Sequence, residues 1–201
     1  RSRARRIGVP APVDRAHFVA LFRAGVPRRN IARPDRNLAG AAGYAACGMA
    51  RLGARVRLVA ELGDDEDGRA LAAEIVLRGI NGDGVRLLPG QRSPFTLIFA
   101  DRSETRPRQV ATYQGTLRDF TLRPGDFERH VSGSRLVYSC SFFIMPALRA
   151  DIGAIFSRAR DMGIRTAYDA NGGDGWGDPA AMRALREQIF PHTDFIFMNE
   201  A

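Results

Sequence analysis

The chain has 201 residues, and its 45% apolar and 26% charged content is that of a folded globular domain, not of a fibrous or disordered chain. Its net charge of +8 rests on arginine alone, since there is no lysine, and the basic clusters at residues 1–6 and 28–36 lack interleaved aromatics. A single-strand platform needs such aromatics, so no nucleic-acid partner is expected.

Cys47 and Cys140 lie far apart, each in an apolar segment, which favours two reduced thiols in a cytoplasmic setting over a disulfide framework. No apolar run approaches a membrane span, and residues 7–13, IGVPAPV, are too short and proline-broken for a signal peptide. No membrane partner is expected, and both ends of the chain look cut.

In chain order, residues 7–13 form a short apolar segment ending in Asp14. A carboxylate there can accept from two adjacent hydroxyls, or can simply cap the mixed segment that follows. Residues 15–37 contain Gly25, Pro27, Pro34 and an arginine run, and read as irregular or short-stranded chain. Leu38, Ala42, Ala45, Met49 and Leu52 then recur at helical spacing, with Gly53 as the stop. The small residues of that helix let its backbone approach a sheet or a small polar ligand.

Val56, Leu58 and Ala60 predict a short strand that Gly63 breaks, and Asp64 or Asp65 caps a second helix running to about Arg78 and stopping at Gly79. Residues 85–88 predict a strand. Residues 95–100 and 109–113 predict a hairpin joined by the polar DRSETRPR. From Arg135 onward strand and helix alternate: LVYSCSF as a buried strand, a helix over 147–162 ended by Gly163, a strand over 164–169, a helix over 180–188 and a strand over 194–198. Such alternation predicts a parallel sheet covered on both faces, with ligands at the carboxyl ends of its strands. Asp14, Ser141, Asp169, Asn171 and Asn199 all fall at or just past predicted strand ends.

Residues 38–68 resemble the first signature of the ribokinase-like, PfkB-type carbohydrate and nucleoside kinases. In that family a Gly-Gly-rich turn opens a small-residue helix ending in A-R-L-G, followed by a strand and G-D-D-x-x-G. The matching residues are Ala39, Gly40, Ala41, Ala42, Gly43 and Tyr44, then Ala50, Arg51, Leu52 and Gly53, then Gly63, Asp64, Asp65 and Gly68. The family usually has Gly where Ala39 stands and a sugar-holding Asn where Tyr44 stands. The spacing to Gly53 is kept, which reads as an altered substrate pocket.

The resemblance implies an α/β fold, a ribokinase-like three-layer α/β/α arrangement with a mostly parallel sheet and a small β lid, C-terminally incomplete. Residues 1–201 would form a single domain, with lid segments at about 15–37 and 92–115. It implies ATP-dependent phosphorylation of a sugar or related hydroxyl compound, with Mg2+, and a possible homodimer through the lid. The sugar or nucleoside pocket would draw on Asp14, Gly40, Ala41, Tyr44, Thr96, Ser141, Asp169 and Asn171, with Gln114 and Gly115 also facing the sugar. Asn199 would touch the nucleotide phosphates. Thr96 is equally at home as a plain strand former.

Gly172-Gly173-Asp174 looks like the family's G-A-G-D loop but precedes Asn199 and opens no helix. It reads instead as part of a loop carrying Asp169, Asn171 and Trp176 near the substrate. The true G-A-G-D loop, with the catalytic Asp and the magnesium-organising Glu, is expected beyond Ala201, so residues 1–201 alone are expected not to transfer phosphate.

Three rival readings remain. Gly40, Gly43 and Gly48 open a helix and Glu61 follows a strand, as in dinucleotide-binding folds, but the glycine spacing is wrong and residues 33–37 are polar where that motif needs a buried strand. His17, His130 and His192 are scattered without ligand spacing, which disfavours a metal hydrolase. A non-catalytic sugar- or nucleoside-binding module on a kinase scaffold stays open, because fold does not fix activity.

Overall fold

A computed structural model describes residues 38–99, 109–122, 124–171 and 178–198. Asp14, Asn199, the first expected lid segment (15–37) and the loop residues Asp174 and Trp176 lie outside the described residues.

Helix α1 (Ala41–Arg51) starts after Gly40, whose φ of 83° is open to glycine at little steric cost. It buries Gly43 and Ala46. Leu52, expected on that buried face, is 90% exposed instead: the helix ends at Arg51 and Leu52 is its cap, past the last packed turn. The stop at Gly53 is as the pattern predicts, with φ of 86°.

Strand β1 (Arg57–Gly63) ends at Gly63, where the pattern places its break. A Cβ at Gly63 would lie 2.5 Å from the Gln91 carbonyl oxygen, so the glycine also admits a close chain crossing at the strand end. Helix α2 (Glu66–Leu77) follows, with Asp65 and not Asp64 as its cap. Strand β2 (Asn81–Leu88) begins well before the expected 85–88 and pairs parallel to β1, Ala60 facing Val85 and Leu62 facing Leu87. The unit is thus a βαβ crossover.

Strands β3 (Phe95–Phe99) and β4 (Gln109–Tyr113) form the antiparallel hairpin the alternation predicts, with Phe95 opposite Tyr113 and Thr96 opposite Thr112. An eight-residue helix, α3 (Pro124–Val131), was not expected from the pattern; it buries Phe127 and Val131.

The last part alternates as expected: β5 (Leu136–Cys140), α4 (Pro146–Asp161), β6 (Arg165–Asp169), α5 (Pro179–Ala184) and β7 (Phe195–Phe197), with β5, β6 and β7 parallel and adjacent in that order. The predicted helix over 180–188 changes character at Leu185, passing through a π-helical turn (Leu185–Ile189) into a 3-10 turn (Phe190–His192). Gly153 of α4 meets that turn so closely that a Cβ would sit 2.3 Å from the Gln188 carbonyl oxygen.

Helix α4 holds this half together because Leu148, Ile152, Ile155, Phe156 and Ala159 share one face and are all buried. Each large apolar side chain so buried contributes about 1.5–3 kcal/mol. Phe156 meets Tyr168 of β6 edge-on with centroids 6.0 Å apart. A smaller cluster of Leu38, Ala46, Ile75 and Ile80 joins α1 and α2 to the β1–β2 pair.

Candidate functional site

The chain turns sharply after β5 and again after β6, and the two turns hold each other. Ser141, just past β5, and Asn171, just past β6, both have left-handed backbones, with φ of 67° and 58°. One oxygen links them: Asn171 Oδ1 accepts from the Ser141 N–H at 2.8 Å and from its hydroxyl at 3.3 Å. Asp169 completes the turn, its Oδ1 accepting from the Asn171 N–H at 2.9 Å. Left-handed non-glycine residues cost free energy, so their pairing by side-chain hydrogen bonds marks a shaped site, not a random loop.

Asp169 Oδ2 lies 3.4 Å from the Tyr138 hydroxyl, which donates to it. Burial, and then the neighbouring Cys140 and Asp169 charges, push the Tyr138 phenol far up, so it remains a donor at neutral pH. Burial likewise pushes the Cys140 thiol up. The Ser141 hydroxyl has one proton, for which the Cys140 sulfur at 3.4 Å is the alternative acceptor to Asn171 Oδ1. The small-residue start of α1 lies beside β5.

Between α1, the start of β1 and the whole of β5 lies a cleft of about 960 Å³, with Ala42, Ala46, Met49, Tyr138 and Cys140 on its walls. Of the three turn residues, Ser141 follows a strand that borders this cleft, β5, while Asp169 and Asn171 belong to the end of β6, which does not line it.

Of the expected pocket residues, the structure therefore joins Ser141, Asp169 and Asn171, with Ala41 and Gly40 at the adjoining helix start. It does not bring in Tyr44, which is 62% exposed. Thr96 sits on the hairpin, its hydroxyl paired with that of Thr112 at 3.1 Å. Gln114, expected to face a sugar, is only 7% exposed and donates its amide to the Ile144 carbonyl at 3.1 Å, so its capacity serves the protein's own backbone. Tyr138 and Cys140 were not anticipated. Their two-residue spacing on a strand, which puts both on one face, was the available signal.

The family description "pfkB family carbohydrate kinase" matches residues 12–201. The chain belongs to the pfkB family of carbohydrate kinases. It is 30% identical over 135 residues to a probable fructokinase-4 of Arabidopsis thaliana, covering 66% of this chain and 40% of that protein. A probable fructokinase-3 of the same plant is 27% identical over 165 residues, covering 80% of this chain and 47% of the relative. This chain thus spans less than half the length of these curated relatives.

Among solved structures, a PfkB family carbohydrate kinase from Listeria grayi superposes with a TM-score of 0.69 at 17% identity, over 80% of this chain and 51% of the other. The Arabidopsis thaliana ribokinase complexed with ribose and ATP superposes with a TM-score of 0.61 at 19% identity, over 82% of this chain and 52% of the other. At such identities the likeness concerns the fold, which is ribokinase-like, and the PfkB chain is incomplete relative to its homologues.

Magnesium is a hard divalent ion that needs oxygen ligands in near-octahedral array. Among the described residues no group of three or more His, Cys, Asp or Glu side chains converges, so no magnesium ligand is assigned to them. Among the same residues no helix is long and apolar enough to cross a membrane.

Proposed function

We propose that the full-length protein transfers a phosphoryl group from ATP to a hydroxyl of a small sugar, and that residues 1–201 carry the acceptor-binding side. The observation that carries the reading is the meeting of Ser141, Asn171 and Asp169 at the carboxyl ends of β5 and β6, beside the small-residue start of α1.

A sugar presents several hydroxyls, each both donor and acceptor. Asp169 accepts from the Asn171 N–H and the Tyr138 hydroxyl and keeps carboxylate lone pairs with which to accept from a sugar hydroxyl. The glycine and alanine residues at Gly40, Ala41 and Ala42 leave room for a ligand to approach the backbone. Curated relatives are named fructokinases, which makes D-fructose the first acceptor to try. ATP as donor is supported by two neighbours described in complex with it, a sugar kinase from Pyrococcus horikoshii and the plant ribokinase.

Mg2+ would bridge and neutralise the phosphates in such a transfer, and we assign it no residue. Asp14 on the sugar, Thr96 from a lid and Asn199 on the phosphates remain proposals drawn from the family resemblance. So do a single-domain organisation, a homodimer through the hairpin and a cytoplasmic location. The proton-accepting base and the anion hole are proposed to come from outside residues 1–201.

The test is sugar-dependent ATP consumption by the full-length protein and by residues 1–201 separately. The reading expects fructose-dependent turnover from the first and none from the second, since a general base alone is worth about 10²- to 10⁴-fold. Sugar binding without turnover in both would favour a non-catalytic binding module. Turnover by the short chain would show that its catalytic centre lies within residues 1–201.

A further inference from the structure

The G-D-D-x-x-G run has an occupation the sugar site does not use. Its residues meet one foot of the β3–β4 hairpin, Ser93 just before β3, while the other foot, Thr116 just after β4, meets Glu61 of β1. Ser93 is 3% exposed, its N–H donating to Asp65 Oδ2 at 2.9 Å and its hydroxyl to Asp65 Oδ1 at 2.7 Å, while the hydroxyl oxygen accepts from the Gly63 N–H at 3.0 Å. Thr116 is 5% exposed, donating its N–H to the Arg92 carbonyl at 3.2 Å and its hydroxyl to the Glu61 carbonyl at 2.6 Å. The feet are thus tied to each other and to the end of β1.

The joint needs three missing Cβ atoms, the one at Gly63 already noted among them. One at Gly68 would lie 2.0 Å from the Gly63 carbonyl oxygen and 2.6 Å from Ser93 Oγ, and one at Gly115 would lie 2.4 Å from the Arg92 carbonyl oxygen. From the downstream foot the ties continue toward the sugar site. Gln114 donates to the Ile144 carbonyl at 3.1 Å, and the Ile144 N–H donates to the Ser141 carbonyl at 3.2 Å.

A two-stranded hairpin is marginal on its own in water, so where it stands depends on its feet. Asp65 meets one foot with both carboxylate oxygens, and Oδ1 also accepts from the Gly68 N–H at 2.8 Å to cap α2. The two tasks are chemically separable. An asparagine retains one carbonyl oxygen for the cap, but its amide nitrogen cannot accept from the Ser93 N–H.

We propose that Asp65 is a positioning residue that seats the β3–β4 hairpin, through Ser93, on the wall that carries the Ser141 turn, independently of its capping of α2. That the seat governs sugar binding rests on the sugar-kinase reading above; the seat itself does not. Burial pushes the Asp65 carboxyl up, but the Ser93 and Gly68 hydrogen bonds and the Arg92 charge outweigh it and hold the group below the ordinary carboxylate value. It therefore meets the hairpin ionised at neutral pH.

The test compares amide hydrogen exchange in residues 1–201 for the wild type, Asp65→Asn, Ser93→Ala and, as a control, Asp64→Asn, whose carboxylate pairs with Arg69 at the surface. Asp65→Asn and Ser93→Ala should each speed exchange across β3 and β4 by about tenfold, the size of one lost hydrogen bond. Protection of α2 should be retained, and the control should match the wild type. In the full-length protein the same two variants should raise the KM for the sugar by a similar factor while kcat changes little.

Unchanged hairpin exchange in both variants would overturn the proposal, as would equal loss of protection in α2 and the hairpin. If the full-length wild type phosphorylates no sugar, the functional reading fails, and the exchange pattern still decides whether Asp65 seats the hairpin.

Discussion

The Ser141 N–H and the Asn171 side-chain oxygen, 2.8 Å apart, hold two left-handed turns against each other at the ends of neighbouring parallel strands. Removing the oxygen should expose that dependence. Asn171→Ala removes one of the two acceptors of the Ser141 N–H, the Asp169 carbonyl at 3.1 Å remaining, and leaves a β-carbon at positive φ, and is expected to cost about 1–2 kcal/mol in urea unfolding. Asn171→Gly loses the same oxygen but relieves the backbone, and should cost less by about 1 kcal/mol. Equal losses would show that backbone strain does not matter at this turn.

Glycines within residues 38–68 should divide sharply when replaced. Gly48 lies inside α1, and a methyl group there would meet nothing within 4 Å, so Gly48→Ala is expected to stabilise by about 0.5–1 kcal/mol through helix propensity. Gly68→Ala would press on the Gly63 carbonyl and is expected to cost about 1–3 kcal/mol or more. Denaturation midpoints of the two variants moving in the same direction would contradict the close approach at Gly68.

Among the described residues, two carboxylates held below their ordinary pKa should make the fold acid-sensitive. Hydrogen bonds from the Thr166 backbone and side chain lower the Asp194 pKa, and the Ser93 and Gly68 contacts lower that of Asp65 against the opposing effect of burial. A folded pKa below the unfolded one gives stability that is complete above the unfolded value and lost as pH falls through the folded one. Unfolding midpoints should therefore hold from neutrality down to pH of about 4 and drop below it. The double variant Asp65→Asn, Asp194→Asn should show a shallower drop, and a curve parallel to the wild type would refute these assignments.

What could be read in the sequence was what local contacts decide. Gly53, Gly79 and Gly163 were legible as helix stops, and each has positive φ. Asp65 was legible as one of two possible caps, because its partner Gly68 is three residues away. Its bond to Ser93 was not, because that residue lies 28 positions along the chain and nothing local marks it as buried. Leu52 misled for a related reason: periodicity counted it into a face that the helix leaves one residue earlier. Helix α3 escaped because eight residues offer barely two turns of pattern. At the site, the strand-end rule picked out Ser141, Asp169 and Asn171, while the exposure of Tyr44 depends on how α1 is rotated against β5, which no spacing encodes.

Whether the strand-end cluster is a sugar site is tested most directly by titrating D-fructose into residues 1–201 and following backbone amide chemical shifts, in the wild type and in Asp169→Ala. The account predicts that the largest shifts fall at Ala41, Ala42, Gly43, Ser141 and Asn171. It also predicts that Asp169→Ala, with its dispersion elsewhere unchanged, weakens binding by at least about tenfold, the cost of one hydrogen bond to a charged acceptor. Shifts confined to residues remote from the ends of β5 and β6, or equal affinity in the two proteins, would contradict it.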